Sequence, residues 1–257
     1  MITLPPDLTA LVAESTWEPI TRGESGAQVY RLRAGPVTRY LKVEPHRPHT
    51  DPQAEAARLR WLPGRLPAPA LLDAAADERH TYLLMAALPG ADATAARWRA
   101  DPARLVALLA ASLQIIHRQP ITDCLFDLRL DAELARAAAN LAAGAVDAED
   151  FDDERVGRSP ESLLAELHAT RPRDEDLVLI HGDYCLPNVV IADWALSGFI
   201  DLGRCGVADR YHDLAQAARS IARNLGSAWV APFFTAYGIG QPDAAKLRYY
   251  QLLDEFF

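Results

Sequence analysis

Asp176–Gly203 reads DLVLIHGDYCLPNVVIADWALSGFIDLG, and the reading of this stretch decides the fold. Leu177–Ile180 is a short apolar run of the kind that feeds a buried strand, and Val189–Ile191 is a second. A third run ends in Asp201-Leu202-Gly203. His181-Gly182-Asp183 and Asn188 lie between the first two, so polar side chains fall in loops at strand ends. A Gly-Asp pair on its own is ordinary turn chemistry, and Asp-Leu-Gly alone says less. The information lies in the combination and its spacing.

Asn188 follows Asp183 by five residues, the gap of the kinase catalytic loop H-R-D-L-x-x-x-N, and Asp-Leu-Gly falls where a kinase carries D-F-G. Asp183, Asn188 and Asp201 bring oxygen atoms that can converge on one magnesium–triphosphate. Asp183 is then the acceptor for the proton of an attacking hydroxyl. Asn188 and Asp201 are the candidate ligands of Mg²⁺, a hard cation that takes oxygen donors.

The first part of the chain supplies the matching half. Trp17–Glu44 reads as three strands, with a glycine hairpin over Arg22–Gly26 and a second turn at Ala34-Gly35-Pro36. Backbone N–H groups in such a hairpin can approach phosphate oxygens. Nearly all basic residues of the chain are arginine, so Lys42 in Tyr40-Leu41-Lys42-Val43 is conspicuous, and it holds the position of the kinase V-A-I-K lysine. Strand alternation puts Tyr40 and Lys42 on one face, with Lys42 toward phosphates and Tyr40 free to stack on a base. A helix is predicted over Asp51–Leu62, with Asp51 as its cap and Pro52 in its first turn. Its Glu55 is either a solvated charge or, in a kinase-like lobe, the partner that orients the lysine. The strand Thr81–Met85 breaks at Pro89-Gly90. That break is the candidate hinge, near 84–90, between an N-lobe over 1–88 and a C-lobe over 91–257.

Composition narrows the partners. A net charge of −9 argues against a nucleic-acid binder and favours neutral or cationic ligands. The cysteines, Cys124, Cys185 and Cys205, form no C-x-x-C and no even framework, which implies reduced thiols. No apolar run reaches membrane-spanning length and no signal segment is evident, so a cytoplasmic enzyme is expected, a monomer or weak dimer.

After the hinge the pattern turns helical. Asp101-Pro102 opens a helix with the apolar stripe Leu105, Leu108, Leu109, Leu113 and Ile116, and His117 at its end reads as structural. Asp131–Ala143 and Pro160–Ala169 are further helices, separated by an acidic segment, Asp147–Glu154, that reads as a solvated loop. Arg204 follows Asp201 by three residues, close enough to orient the loop or an anion. His212 and Asp213 read as scaffold, and a last helix starts near Asp243.

With these residues in hand, the chain resembles the aminoglycoside 3′-phosphotransferases, the kanamycin kinases. The likeness runs from GESGAQVYRL (23–32) through YLK, AEAARLRWL and LLMAALPG to HGDYCLPN, GFIDLGRCGVADRYHDLAQAAR (198–219) and the terminal LLDEFF. The resemblance implies an α+β, protein-kinase-like bilobal fold, with a small β-rich N-lobe and a larger helical C-lobe. It also implies residue roles for ATP, with GTP as an alternative, and Mg²⁺. Ser25 and its loop would cover the phosphates, Lys42 with Glu55 would position them, and Tyr40 and Ile200 would sandwich adenine against hinge backbone at Ala86–Leu88. Asp183 would be the base, and Asn188 and Asp201 the metal ligands. Asp152, Asp153, Arg204, Arg219, Asp254, Glu255 and the α-carboxylate of Phe257 would bind the aminoglycoside.

A polycationic substrate and a cluster of carboxylates attract each other over long range. The chain departs from the family after Arg219, where acidic residues are common and this sequence has Ser220, Arg223 and Asn224; Arg223 would repel a cationic ring if it faced the substrate. The expected activity is phosphorylation of the aminoglycoside 3′-hydroxyl, conferring resistance. The alternatives are a kinase of another small hydroxylated metabolite, and a non-catalytic nucleotide-binding module.

Overall fold

A computed structural model of the chain describes residues 4–20, 26–46 and 51–257. It divides into two compact units, Met1–Pro89 with Gly198–Gly203, and Gly90–Ser197 with Arg204–Phe257. The fold is α+β, with the antiparallel sheet in the first unit and most of the helices in the second.

The first unit opens with a helix that the sequence reading does not anticipate, α1 (Pro6–Val12), whose Leu8 and Val12 are buried. Strands β1 (Thr16–Ile20), β2 (Gln28–Ala34) and β3 (Val37–Pro45) follow. Next come helix α2 (Ala54–Trp61) and strands β4 (Leu71–Ala76) and β5 (His80–Ala86). The five strands run in the order β1-β2-β3-β5-β4. On β3, Leu41 and Val43 join a core with Leu8, Val12, Leu32, Tyr82 and Leu84. Period-two alternation therefore leaves Tyr40 and Lys42 on the other face.

Helix α2 starts later than predicted. Asp51 Oδ1 accepts the Gln53 N–H at 2.9 Å, and Asp51 O accepts the Ala54 N–H at 3.0 Å, so Asp-Pro forms a turn ahead of the helix rather than its first turn. Strand β4, LLDAAA, has neither alternation nor β-branched residues and was not legible. It is an edge strand whose pairing with β5 is interrupted between Leu71 and Asp73.

In the second unit, β6 (Ala91–Asp92) and α3 (Ala96–Arg99) precede α4 (Pro102–His117), α5 (Leu130–Ala142) and α6 (Pro160–Ala169). Asp101 caps α4 as expected, accepting the Arg104 N–H, and Ser159 caps α6 by accepting the Ser162 N–H. Leu105, Leu109, Leu113 and Ile116 of α4 are buried, with Leu108 half-buried. Strands β7 (Leu177–Ile180), β8 (Val189–Ala192), β9 (Ala195–Phe199) and β10 (Gly206–Asp209) come next. Strand β10 pairs antiparallel with β7, and β6, β8 and β9 form a small sheet. Asp193 and Trp194, at φ 49° and 59°, make the two-residue turn between β8 and β9.

The chain closes with α7 (Tyr211–Leu225), α8 (Val230–Tyr237) and α9 (Ala244–Asp254), the last capped by Asp243, which accepts the Ala245 and Lys246 N–H groups. Among the described residues no helix is long and apolar enough to cross a membrane.

Candidate active site

In the first unit the site is built around Lys42. Its Nζ donates to Glu55 Oε2 at 2.7 Å and to Asp201 Oδ1 at 2.8 Å. Lys42 arrives on the β3 face opposite the core, and Glu55 comes from the first turn of α2, buried rather than solvated. Asp201 is brought in by Gly198–Gly203, which docks through Phe199 N–H to Pro67 O at 2.9 Å. Burial works against the Lys42 charge, but the two adjacent carboxylates outweigh it, and its pKa is raised. Burial pushes the Glu55 carboxyl up while Lys42 pulls it down. On balance the Glu55 carboxyl is raised, burial outweighing the ammonium it touches. Asp201 has φ 57°, a left-handed conformation that a non-glycine residue holds only where its surroundings impose it.

Tyr40, beside Lys42 on the same face, accepts from Arg31 Nε at 3.2 Å through its hydroxyl. Ala86, Leu88 and Ile200 are half-buried. Ser25 lies outside the described residues.

In the second unit the loop after β7 carries Asp183 and Asn188. Asn188 Nδ2 donates to Asp183 O at 3.0 Å and to Asp183 Oδ2 at 2.8 Å. The amide nitrogen is thus committed, and the Asn188 side-chain oxygen is the atom left for a cation. Gly182 is obligatory here. It has φ 87°, and a Cβ would lie 1.9 Å from Arg204 O.

The loop backbone is held from below by Asp213 of α7, which accepts the His181 N–H at 2.7 Å and the Gly182 N–H at 2.9 Å. His117 Nε2 lies 3.1 Å from the same carboxylate, and its Nδ1 is 2.7 Å from the Tyr237 hydroxyl. Burial would raise the Asp213 carboxyl, but hydrogen bonding to His117 and its charge outweigh that, and the pKa is lowered. The scaffold reading of His117 and Asp213 holds, with a specific meaning: they fix the loop that carries Asp183. Ser220 does the same from two turns further along α7, its Oγ accepting the Leu186 N–H at 2.9 Å. The departure Ser220 therefore serves the loop.

The second unit also collects most of the residues implied for the substrate. Arg219 Nη1 is 3.1 Å from Asp152 Oδ2, and Arg219 also pairs with Asp254. Arg204 Nη1 lies 3.0 Å from Asp254 Oδ1, with its guanidinium 4.7 Å from the Phe257 ring centre. Glu255 pairs with Arg155 at 2.9 Å. Burial would raise Asp254, yet Arg204 and Arg219 hold it well below the usual carboxylate range. His212 goes the other way, its pKa pushed down to about 4 by burial and then by Arg204. Asp183 adds to the field at His212, so the arginine–carboxylate cluster and the Asp183 loop are electrostatic neighbours.

Three comparisons identify the architecture. The phosphotransferase enzyme family matches residues 16–250. An aminoglycoside 3′-phosphotransferase of Streptomyces fradiae is 41% identical over 94% of this chain and 95% of that protein. The chain belongs to the aminoglycoside 3′-phosphotransferase family. The crystal structure of an aminoglycoside-3′-phosphotransferase of type VIII superposes with a TM-score of 0.86 at 39% identity, covering 97% of each chain. The phosphotransferase APH(3″)-Id of Streptomyces rimosus, solved with ADP and streptomycin, gives a TM-score of 0.80 at 29% identity over 100% of this chain and 99% of that one.

Asp153, unlike the paired carboxylates around it, is exposed and makes no hydrogen bond or ion pair among the described residues. Two participants were not anticipated, and a third, Arg223, was singled out only as a departure from the family. Arg155 bridges Glu255 and Asp152, Glu133 of α5 lies 3.7 Å from Arg204 Nη2, and Arg223 binds Asp152. Arg223 had a readable signal, because Arg219 and Arg223 are four apart on one helix and share a face. Arg155 and Glu133 had none, since only the fold brings their segments to α7 and α9.

Proposed function

We propose that the protein transfers the γ-phosphoryl group of ATP, or of GTP, to the 3′-hydroxyl of an aminoglycoside antibiotic and so confers resistance. The observation that carries this reading is the Asp183–Asn188 pair. A carboxylate is fixed at a strand end, on a loop anchored by buried groups, in a chain of the phosphotransferase family. Asp183 then orients the substrate hydroxyl and accepts its proton. Lys42, oriented by Glu55, offsets charge on the α- and β-phosphates. Tyr40 and Ile200 pack on the base, with backbone at Ala86 and Leu88 reading its edge, and Ser25 covers the phosphates.

Asn188 and Asp201 offer oxygen donors, which suits Mg²⁺. That ion, when bound, neutralises charge on the transferring phosphates. Positioning and fixed charges supply most of the acceleration, as in other phosphoryl transfers. Residues 1–88 serve the nucleotide, and 91–257 carry the catalytic loop and the antibiotic site, the latter through Asp152, Asp153, Arg204, Arg219, Asp254, Glu255 and Phe257.

The test is a coupled turnover assay with kanamycin, neomycin, lividomycin (which lacks the 3′-hydroxyl), streptomycin, choline and simple sugars. Turnover of kanamycin without lividomycin is expected. Turnover of lividomycin would move the acceptor to another hydroxyl. Silence on every aminoglycoside, with turnover of choline or a sugar, would replace the reading by that of a metabolite kinase.

A further inference from the structure

Three guanidiniums converge on Asp152. Arg219 Nη1 lies 3.1 Å and Arg155 Nη1 3.4 Å from Oδ2, while Arg223 Nη2 lies 2.5 Å from Oδ1. They differ in what else holds them. Arg219 is also tied to Asp254, and Arg155 is buried and also tied to Glu255. Arg223 has no second carboxylate among the described residues, and its side chain is 61% exposed against 22% for Arg219 and 9% for Arg155. One oxygen of Asp152 is thus held by fixed cations. The other is held by a solvent-facing one at the end of a long stem.

On the reading that Asp152 faces the aminoglycoside, we propose that Arg223 is a specificity-determining residue, a tethered stand-in for a substrate ammonium at Asp152 Oδ1. A substrate that brings an ammonium to this corner must displace Arg223 or sit against it, with like-charge repulsion opposing it. A substrate with a hydroxyl there can donate to the same carboxylate while the arginine stays. The enzyme therefore discriminates against the amine and in favour of the hydroxyl at this point, an effect that acts through Asp152 and leaves phosphoryl transfer alone. Exposed ion pairs are weak and salt-sensitive, so the discrimination is modest and screened by salt.

The experiment compares two matched pairs, neomycin with paromomycin and kanamycin B with kanamycin A. In each, the first member carries an amine where the second has a hydroxyl. Steady-state constants are measured for wild type, R223A and R223K. In R223A the ratio of amine to hydroxyl KM should fall about threefold to tenfold in at least one pair, with kcat and the KM of ATP nearly unchanged. R223K should restore the wild-type ratio, and added salt should shrink the difference between variants. If both members of both pairs shift together, stay fixed, or lose turnover altogether in R223A, Arg223 is merely structural and the inference fails alone. If the wild type turns over no aminoglycoside, the functional reading fails and takes the inference with it.

Discussion

The two charged centres of this chain follow opposite rules. In the first unit a single ammonium, Lys42, lies between two carboxylates, Glu55 and Asp201, which leaves a net negative charge beside a protonated lysine. In the second, Arg136, Arg155, Arg204, Arg219 and Arg223 face Asp152, Asp254, Glu255 and Glu133, and each of these carboxylates has at least one arginine partner. An overall charge of −9 would lead one to expect the reverse, with the second centre rich in uncompensated carboxylates. Net charge sets the long-range field, whereas pairing sets what a ligand meets on arrival. On the proposed function, a cationic ligand of the second centre would meet carboxylates already held by arginines, with Asp153 the exception.

The sharpest way to test the division of labour is at Asp183, which belongs to neither ion cluster. Asp183→Ala should reduce kcat by at least ~10²-fold, the low end for a general base. Near-normal kcat in that variant would leave the two clusters without a chemical centre to serve. Next in size is Lys42→Met. Among the described residues Lys42 is the one cation on Glu55, so removing it strands that buried carboxylate and should cost about 3 kcal/mol of unfolding free energy or more by urea titration. The double variant Lys42→Met/Glu55→Gln should recover part of that loss. A single variant as stable as wild type would mean that the first centre is as exchangeable as the second.

The contrast also explains what the sequence made legible. Lys42 could be read because a rare lysine among arginines sits on a strand two residues from Tyr40, and Asp183, Asn188 and Asp201 because loop spacing is preserved along the chain. Strand alternation and helix caps are local rules, so β3, α4, α6 and α9 were readable to within a residue or two. The second centre was readable only by resemblance. Arginine stems are long, and their partners here, such as Asp152 with Arg223 or Arg155 with Glu255, are far apart in sequence. Edge strand β4 was missed because its alanines carry no period, and β10 because Gly206–Asp209 makes a strand only by pairing with β7.

A smaller effect is expected at His212, inside the second centre. Its folded pKa of about 4 lies below the ordinary 6.5, so between these values the unfolded chain binds a proton that the folded chain refuses. Stability should thus fall as pH is lowered from 6.5 toward 4, by no more than about 3 kcal/mol. Asp254 behaves differently. Its depressed pKa contributes stability that is present above the ordinary 3.8 and is lost only as pH drops further, so the two windows barely overlap. His212→Gln should flatten the slope of urea-derived stability between pH 6.5 and 4. A slope unchanged by the substitution would mean that the imidazole is solvated and that the cluster is looser than its packing implies.

The smallest effect distinguishes the two centres most directly. Arg223 is the exposed cation of a paired cluster, and Asp152 keeps Arg219 and Arg155 when Arg223 is removed. Arg223→Ala should therefore change unfolding free energy by no more than about 0.5 kcal/mol, within the range of surface ion pairs. Lys42 has no such reserve, since among the described residues no second cation touches Glu55. A large loss in Arg223→Ala, approaching that of Lys42→Met, would show that the arginines of the second centre act as one indivisible network. Exchange with a substrate cation would then be too costly to tune specificity, and the pairing of charges there would be structural.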